Sequence, residues 1–215
     1  DKKLNEYIKK YNFIKKIVAS NSSLEYQKTL YGDEFLKDVF VIPAGIDSEK
    51  NLNTKQTPTK VIDCLIYFKK RKDSELNMLL DFLENKNLDY KVLKYGHYKN
   101  KTLEKLAKKS SFGIILDKTE SQGFAIQKIM STNLPLIVWD YKINNYEGYD
   151  LAGTSVPFWD DTCGIKIDSE KELKENFDNF INKLDLYSPI DFVKNNLTYE
   201  SFAENIFDHF SDENN

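Results

Sequence analysis

The sequence predicts an α/β protein with a Rossmann-like, doubly wound parallel sheet. Two short runs, FGIILD (112–117) and LPLIVWD (134–140), are almost wholly apolar. Runs without polar alternation are typical of strands that are covered on both faces, as in a parallel sheet. Between them, Ile126, Ile129 and Met130 recur at helical spacing and indicate a helix with one apolar stripe. From position 61 onward this alternation repeats, and it predicts four or five parallel strands with right-handed helical crossovers.

The N-terminal segment is predicted to hold one short strand between helices. The spacing of Leu4, Ile8 and Tyr11 predicts a short amphipathic helix. FIKKIVASN is typical of a strand that ends in a Ser/Asn cap. SLEYQKTLYG predicts a helix that is closed by Gly32.

A turn and a polar linker follow this segment. DVFVIPAGIDSEK predicts a strand that leads into a rigid turn at Pro43 and Gly45, and an ordinary strand and turn would account for it as well. NLNTKQTPTK (51–60) is polar, contains one proline and is typical of a linker. We therefore predict a boundary between residues 57 and 58.

Beyond the boundary, strands and helices are predicted in alternation. VIDCLIYF predicts a buried strand, and the helix after it is expected to be capped by Asp73 or Ser74. LDYKVLKYG predicts the next strand and NKTLEKLAKKS the next helix. Thr119 and Gln122 have the spacing of a capping box and predict the start of the helix that precedes LPLIVWD.

The last part of the chain begins with a long loop, Tyr141–Asp161. Its aromatic residues are expected either to stack on sugar rings or to pack as part of an edge strand or hairpin that includes SVPFWDDTCGIKI. The residues concerned are Tyr141, Tyr146, Tyr149, Phe158 and Trp159. SEKELKENFDNFINKL predicts a Ser-capped helix, and YESFAENIFDHF predicts a terminal amphipathic helix.

Two turns at the carboxyl ends of predicted strands have the chemistry of an anion site. The loop 118–123 opens a helix, where unpaired backbone N–H groups favour anions, and Gly123 would let a phosphate approach the backbone. Glu120 in the same loop could accept hydrogen bonds from sugar hydroxyls. The turn 69–72 contributes four consecutive cations, which an ordinary solvated basic turn would also contain.

ESQGFAIQKIMSTNLPLIVWD (120–140) resembles the donor-binding signature of retaining GT-B glycosyltransferases of the group 1, family 4-like type. In that family a Glu, seven residues and a second Glu precede a small residue-x-Pro and an apolar strand. The first Glu contacts the donor sugar, the Gly-containing turn holds the diphosphate, and the second Glu binds the ribose. Glu120 and Gly123 match, but Lys128 stands in place of the second Glu, and a Lys cannot accept hydrogen bonds.

The resemblance covers roughly residues 13 to 210 and implies a set of roles. DVFVIPAGIDSEK resembles the segment that leads from the acceptor domain to the donor domain, so 1–57 is expected to be a remnant of the acceptor domain plus linker and 58–215 the donor domain. Glu120 is the predicted catalytic residue, and Arg71 and Lys72 are predicted to neutralise the diphosphate. The remaining predicted donor-binding residues are Gly96, His97 and Tyr98 beside the nucleobase, Ser121, Gln122, Gly123 and Phe124 at the diphosphate turn, and Lys128 in the ribose position.

Composition limits the classes of function. The formal net charge of −3, from 31 basic and 34 acidic residues, does not predict a nucleic-acid partner. Cys64 and Cys163 form no disulfide framework or metal-ligand motif, and we expect no metal and no cofactor besides the donor substrate. The chain has no stretch of about 20 apolar residues and no signal-peptide pattern, so we expect a cytoplasmic location without a transmembrane segment.

Together these features predict a metal-independent hexosyltransferase of polysaccharide biosynthesis. It would move a hexose from a nucleotide-diphosphate sugar, such as a UDP sugar, to the hydroxyl of a glycan or lipid-linked acceptor. The alternative is a non-catalytic nucleotide-sugar-binding subunit that needs an acceptor domain from a missing N-terminal region or from a separate chain. A flavodoxin-like or response-regulator-like domain is disfavoured, because Asp63 is alone in its strand where receivers have an aspartate cluster.

Overall fold

The structure is a computed structural model that describes residues 6, 10, 15–33, 37–48, 51, 59–141, 143–146 and 149–211. Its first elements are strand β1 (Lys16–Val18), helix α1 (Asn21–Tyr31) and strand β2 (Val39–Val41). β1 and β2 pair in parallel. α1 begins after Ser20, whose hydroxyl accepts the Ser23 N–H, and ends at Gly32, which has a φ of 76°. The predicted strand, helix and glycine cap are confirmed here, whereas the predicted Leu4–Tyr11 helix lies outside the described residues.

From residue 59 onward, strands alternate with helices. In chain order they are β3 (Ile62–Phe68), α2 (Asp73–Asn85), β4 (Tyr90–Lys94), α3 (Asn100–Lys109), β5 (Ser110–Leu116), α4 (Phe124–Met130), β6 (Leu136–Trp139), β7 (Ile143–Tyr146), β8 (Tyr149–Ala152), β9 (Gly164–Ile167), α5 (Glu170–Ile181), α6 (Pro189–Asn196) and α7 (Tyr199–Phe210). Five strands form one parallel sheet in the order β4-β3-β5-β6-β9. The predicted α/β, Rossmann-like fold with a parallel sheet is confirmed.

Both faces of the five-stranded sheet are covered by helices, which explains the apolar runs. Successive residues of β3 belong to opposite cores: Leu65 and Tyr67 pack on one face, Cys64 and Ile66 on the other. The first face is covered by α3, α4 and α6, and the second by α2 and α5. Because neither face meets solvent, neither set of alternating positions needs polar side chains. The sheet is therefore doubly wound.

The C-terminal helix α7 lies against the N-terminal strands. Lys15 Nζ donates a hydrogen bond to the His209 carbonyl at 2.6 Å, and the rings of Phe40 and His209 meet edge to face at 4.6 Å. Just before α7, Thr198 forms an isolated parallel bridge with Ile46. We call β1, α1, β2 and the facing helix α7 the N-terminal layer.

Two predicted helix starts are wrong. α2 begins after Lys72 rather than after Asp73 or Ser74, and its first turn is closed by the Glu75 carboxylate, which accepts the Lys72 N–H at 2.9 Å. The capping box predicted for Thr119 does not form, because α4 begins only after Gly123. The loop before α4 is thus four residues longer than predicted, and its side chains are available for other contacts.

The region after β6 contains a hairpin and an edge strand, in agreement with the second of the two predicted alternatives. β7 and β8 form an antiparallel hairpin within the long loop, and β9 is an edge strand of the main sheet. Helix α6 was missed, although Pro189 at its first position is a common helix-start signal. The described helices are all too short or too polar to cross a membrane.

Candidate functional site

The carboxyl ends of β3 and β5 bring a lysine and two carboxyl groups together. Lys69 directly follows β3, and its side chain is only 8% exposed. Its Nζ donates a hydrogen bond to the Glu120 carboxylate and lies 3.6 Å from Asp117 Oδ2. Glu120 remains 14% exposed, whereas Asp117 is fully buried. We call these three residues the mouth cluster, because they lie at the carboxyl-end edge where ligands of open α/β sheets bind.

Asp117 is the most unusual member of the mouth cluster. Its Oδ1 accepts the Lys118 N–H at 2.7 Å, whereas Oδ2 has no hydrogen-bond partner among the described residues. Burial, and after it the adjacent Glu120 carboxylate, raises the pKa of Asp117 to about 8. At neutral pH this carboxyl is therefore mostly protonated.

Lys69 is held in its charged form by its neighbours. Burial alone would lower its pKa, but the hydrogen bond to Glu120 and the nearby Asp117 outweigh burial and raise the pKa above its ordinary value. The Nζ also lies 4.5 Å from the centre of the Tyr95 ring, a cation–π contact. Lys69 is thus a fixed positive charge at the edge of the sheet.

Arg71, predicted to bind the diphosphate, has a side chain that is only 1% exposed. Its guanidinium grips Glu75 with two bonds of 2.6 and 3.0 Å and donates to the carbonyls of Asp117 and Trp139. It also lies 4.6 Å from the Tyr141 ring centre. These contacts tie α2 to the ends of β5 and β6. The phosphate role of Arg71 stays a prediction, and in this conformation its donors are directed at protein groups.

Lys72 and Lys70 occupy the outer side of the same turn. Both are exposed, and Lys70 has a φ of 53°, which places it in the left-handed region. That backbone turn lets consecutive side chains of 69–72 alternate between the protein interior and solvent. The four predicted cations therefore do not converge, because two are committed to Glu120 and Glu75.

The loop that carries Glu120 is braced from the region after the β7–β8 hairpin. The Glu120 N–H donates to the Thr154 carbonyl at 3.0 Å, and Ser155 Oγ donates to the Asp117 carbonyl at 2.9 Å. Asp140, at the end of β6, accepts the Thr154 hydroxyl and the Ser155 N–H. The position of the mouth cluster is therefore fixed by residues that are distant in sequence.

Gln122, which is predicted to contact the donor, links the loop before α4 to the N-terminal segment. It is 7% exposed, and its amide makes two bonds to the backbone of Ala44: Nε2 donates to the carbonyl at 3.1 Å, and Oε1 accepts the N–H at 3.3 Å. Gln127 in turn donates to the Gln122 carbonyl. Gly123 has a φ of 74°, which a side chain would strain. A direct contact of the Gln122 side chain with a donor stays untested.

The other predicted donor-binding residues lie in the loop before α4, in α4 itself and in the turn after β4. Ser121 is exposed, Phe124 is 51% exposed, and Lys128 is half-buried in the last turn of α4. In the turn after β4, Gly96 has a φ of 80°, His97 is exposed, and Tyr98 packs edge to face on Tyr67 at 6.2 Å. Their predicted roles stay predictions.

Aromatic side chains of the long loop pack mainly on the protein. Phe158 and Trp159 lie against the core that α3, α4 and α6 cover, and Tyr141 lies against Arg71. The side chains of Tyr146 and Tyr149 lie outside the described residues. Within the described part of the chain no three His, Cys, Asp or Glu side chains are grouped as a metal site, and Cys64 and Cys163 are buried thiols.

The sequence reasoning missed Lys69 and Asp117. A signal was present for both, because each is the first charged residue after a buried strand, the position that opens onto the carboxyl edge of a parallel sheet. Arg71 was preferred over Lys69 for its bidentate geometry, and that geometry is used here on Glu75.

Comparison with known proteins finds structures of similar fold but no matching sequence family. No protein-family model matches the chain, and no curated protein matches it. Among solved structures, S. aureus TarM is similar, with a TM-score of 0.57 and 15% identity over 98% of this chain and 46% of TarM. That structure is of a TarM mutant in complex with fondaparinux, α-GlcNAc-glycerol and UDP. A second TarM structure gives a TM-score of 0.56 at 15% identity over the same shares.

The sucrose-phosphate synthase of Thermosynechococcus elongatus is similar with a TM-score of 0.55 and 11% identity, over 91% of this chain and 57% of that one. The fold, a parallel sheet flanked by helices, matches the Rossmann-like halves of the GT-B fold. The chain spans about half the length of these neighbours. At such identities the likeness concerns the fold, and the site has to be judged on its own residues.

Proposed function

We propose that this chain binds a nucleotide-diphosphate sugar at the mouth cluster and is the donor-binding half of a hexosyltransferase. The observation that carries the proposal is the Lys69–Glu120 pair at the carboxyl edge, with the buried Asp117 protonated beside it. Such a cluster offers a fixed cation for phosphate oxygens and a partly exposed carboxylate for sugar hydroxyls. The similarity of the fold to TarM, whose structure holds UDP, supports the same ligand class.

In this proposal the protein stabilises the diphosphate as it leaves the sugar. Lys69 would turn from Glu120 toward the phosphates, and the exposed Lys70 and Lys72 would add positive charge from the same turn. Preorganised charges that act where negative charge develops are an effective source of catalysis. Glu120, released from Lys69, would face the transferred hexose. We propose retention of configuration and independence from metal as parts of this mechanism.

The acceptor would be the hydroxyl of a glycan or of a lipid-linked sugar, as in polysaccharide biosynthesis. Because the chain spans about half of its structural neighbours, we propose that an acceptor domain completes the cleft, either from further sequence or from a separate chain. The N-terminal layer is the part of the chain on which such a domain would continue.

Calorimetric titration of the chain with UDP, GDP and ADP tests the binding part. We expect one of them to bind, and Lys69→Met to weaken its binding by roughly tenfold or more, the effect of losing one hydrogen bond to a charged group. Lys105→Met, an exposed change on α3, serves as the matched control and should bind as the wild type does. If no nucleoside diphosphate binds at millimolar concentration, the donor site is wrong.

The catalytic part is tested at Glu120. In a complete enzyme, Glu120→Gln should cut transfer by about a hundredfold or more while leaving nucleoside diphosphate affinity nearly unchanged, since the carboxylate acts mainly in the transition state. Equal transfer by both proteins would remove Glu120 from the catalytic machinery.

A non-catalytic binding subunit is the second candidate function. Two observations favour it: the Arg71 guanidinium is committed to Glu75 and two carbonyls, and Lys128 replaces the residue that would bind ribose. Slow hydrolysis of a bound nucleotide sugar by the chain would favour the enzyme. Binding without hydrolysis, and without transfer when an acceptor domain is supplied, would favour the subunit.

A further inference from the structure

Asp117 belongs to the mouth cluster, so its protonation state changes the net charge of the cluster. It follows β5, its side chain is fully buried, and its carbonyl is held by Arg71 and Ser155. Oδ1 is satisfied by the Lys118 N–H, but Oδ2 points toward Lys69 without a hydrogen bond to a described residue. The carboxyl is therefore held within the cluster, out of contact with solvent and 3.6 Å from the Lys69 ammonium.

Among the described residues, the groups that face this carboxyl include one cation that can neutralise it, Lys69. Three of these groups lie in β3 and the turn after it: Lys69, Tyr67 and the more distant Arg71. The Arg71 guanidinium is paired with Glu75. Its own loop contributes Glu120 and the Lys118 backbone. The turn after β4 contributes Tyr98, which is neutral at physiological pH because burial raises the pKa of its phenol. Two carboxyl groups thus compete for Lys69.

The competition has a consequence for anion binding. With Asp117 protonated, Lys69 and Glu120 sum to zero charge, and Lys69 can move to a phosphate. With Asp117 ionised, the cluster carries one net negative charge in a site of low dielectric, where like charges repel strongly. A diphosphate that draws Lys69 away would also leave the ionised Asp117 buried without a partner, which is costly.

We infer that Asp117 is a positioning residue that must hold a proton for the mouth to accept a diphosphate, so that ligand binding is coupled to proton uptake. This inference rests on the proposed function and adds a residue and a linkage to it. No covalent step is involved: one proton passes from solvent to an Asp117 oxygen when the ligand binds above the pKa of this carboxyl.

Titration calorimetry with UDP between pH 6.5 and 9.5, in pairs of buffers with different ionisation enthalpies, tests the linkage. Above about pH 8 the affinity should fall by up to tenfold per pH unit, with uptake of up to one proton. Asp117→Asn, which mimics the protonated carboxyl, should abolish both effects. Asp178→Asn, an exposed carboxylate on α5, should keep them. Wild-type affinity that is flat with pH, or no proton uptake, overturns the inference and leaves the donor site standing.

A ligand-free measurement separates this inference from the proposed function. In the wild-type chain the side-chain carboxyl carbon of Asp117, followed by NMR, should titrate near pH 8, and in Glu120→Gln its midpoint should move toward the ordinary aspartate range. A wild-type midpoint near pH 4 overturns the inference whether or not UDP binds. Absence of UDP binding at every pH, with a midpoint near 8, overturns the donor site instead.

The stability of the free chain provides a third readout with a definite sign. The folded pKa of Asp117 lies above the value of 3.8 for an unperturbed side chain, so the folded state binds more protons between pH 4 and 8 and loses stability as pH rises through that window. The Tm of Asp117→Asn minus that of the wild type should therefore increase from pH 4 to 8 and then level off. A difference that is constant with pH contradicts the inference.

Discussion

The five-stranded sheet and the N-terminal layer have the same alternation of parallel strands and helices, yet only the sheet encloses a core. In the sheet, every residue of β3 except Asp63 is buried, and α2 and α5 bury three residues each. In the N-terminal layer, no residue of α1 or α7 and no described residue of β1 or β2 is buried. The same local pattern therefore gives a stable unit only where enough strands are stacked to cover both faces.

The contacts inside the sheet region also differ from those that join it to the N-terminal layer. Inside the sheet region, the contacts that fix the mouth are bidentate or buried, as in Arg71–Glu75. Between the regions, the described contacts include the Gln122–Ala44 pair, the Asn51–Ser131 hydrogen bond and the side chain of Ile46, which is buried in the core that α3, α4 and α6 cover. We expect the sheet region to set the global stability and the N-terminal layer to open first.

The largest expected effect is at Arg71, which anchors the sheet region. Arg71→Met should lower the free energy of unfolding by about 3 to 5 kcal/mol, because it removes the buried cation paired with Glu75 and one donor from each of two carbonyls. Urea denaturation measures this, with Lys72→Met, an exposed neighbour, expected within about 0.5 kcal/mol of the wild type. Equal effects of the two changes would mean that the guanidinium does not serve as the anchor.

A pair of leucines compares the two regions directly. Leu79→Ala in α2 should cost about 2 to 5 kcal/mol, because Leu79 is fully buried in the core between α2 and α5. Leu30→Ala in α1 should cost no more than about 0.5 kcal/mol, since Leu30 is 41% exposed. Thermal or urea unfolding of the two variants checks the contrast. A large loss for Leu30→Ala would show that the N-terminal layer contributes a core of its own.

The smallest of these effects concerns the junction between the regions. Gln122→Ala removes two hydrogen bonds to the Ala44 backbone and should cost about 1 to 2 kcal/mol. Amide hydrogen exchange should speed up at residues 39–46 while β3 and β5 stay protected. Lys105→Ala on α3 is the control and should leave both sets unchanged. Faster exchange in β5 as well would mean that the regions unfold together.

Much of the fold could be predicted from the sequence because it depends on local patterns. Apolar runs and helical spacing predicted the parallel sheet and its crossover helices, and Gly32 and Ser169 marked helix ends as expected. The first residues of α2 and α4 could not be predicted from such local patterns. At the start of α2, Glu75 is aligned by Arg71, which is itself held by the distant carbonyls of Asp117 and Trp139. Before α4, Gln122 is turned toward the distant Ala44 instead of the helix.

In the mouth cluster, too, some features follow from the sequence and others only from the tertiary structure. The chain by itself determined that charged turns follow β3 and β5 and that Glu120 and Gly123 stand in the loop before α4. Only the tertiary structure decided which cation faces that loop, because Lys69 and Arg71 carry the same charge in the same turn and the fold sets which carboxylate each meets. It also decided that Asp117 is buried beside Glu120. Charge is a property of the residue, whereas pairing and pKa depend on which groups the fold brings within a few ångströms.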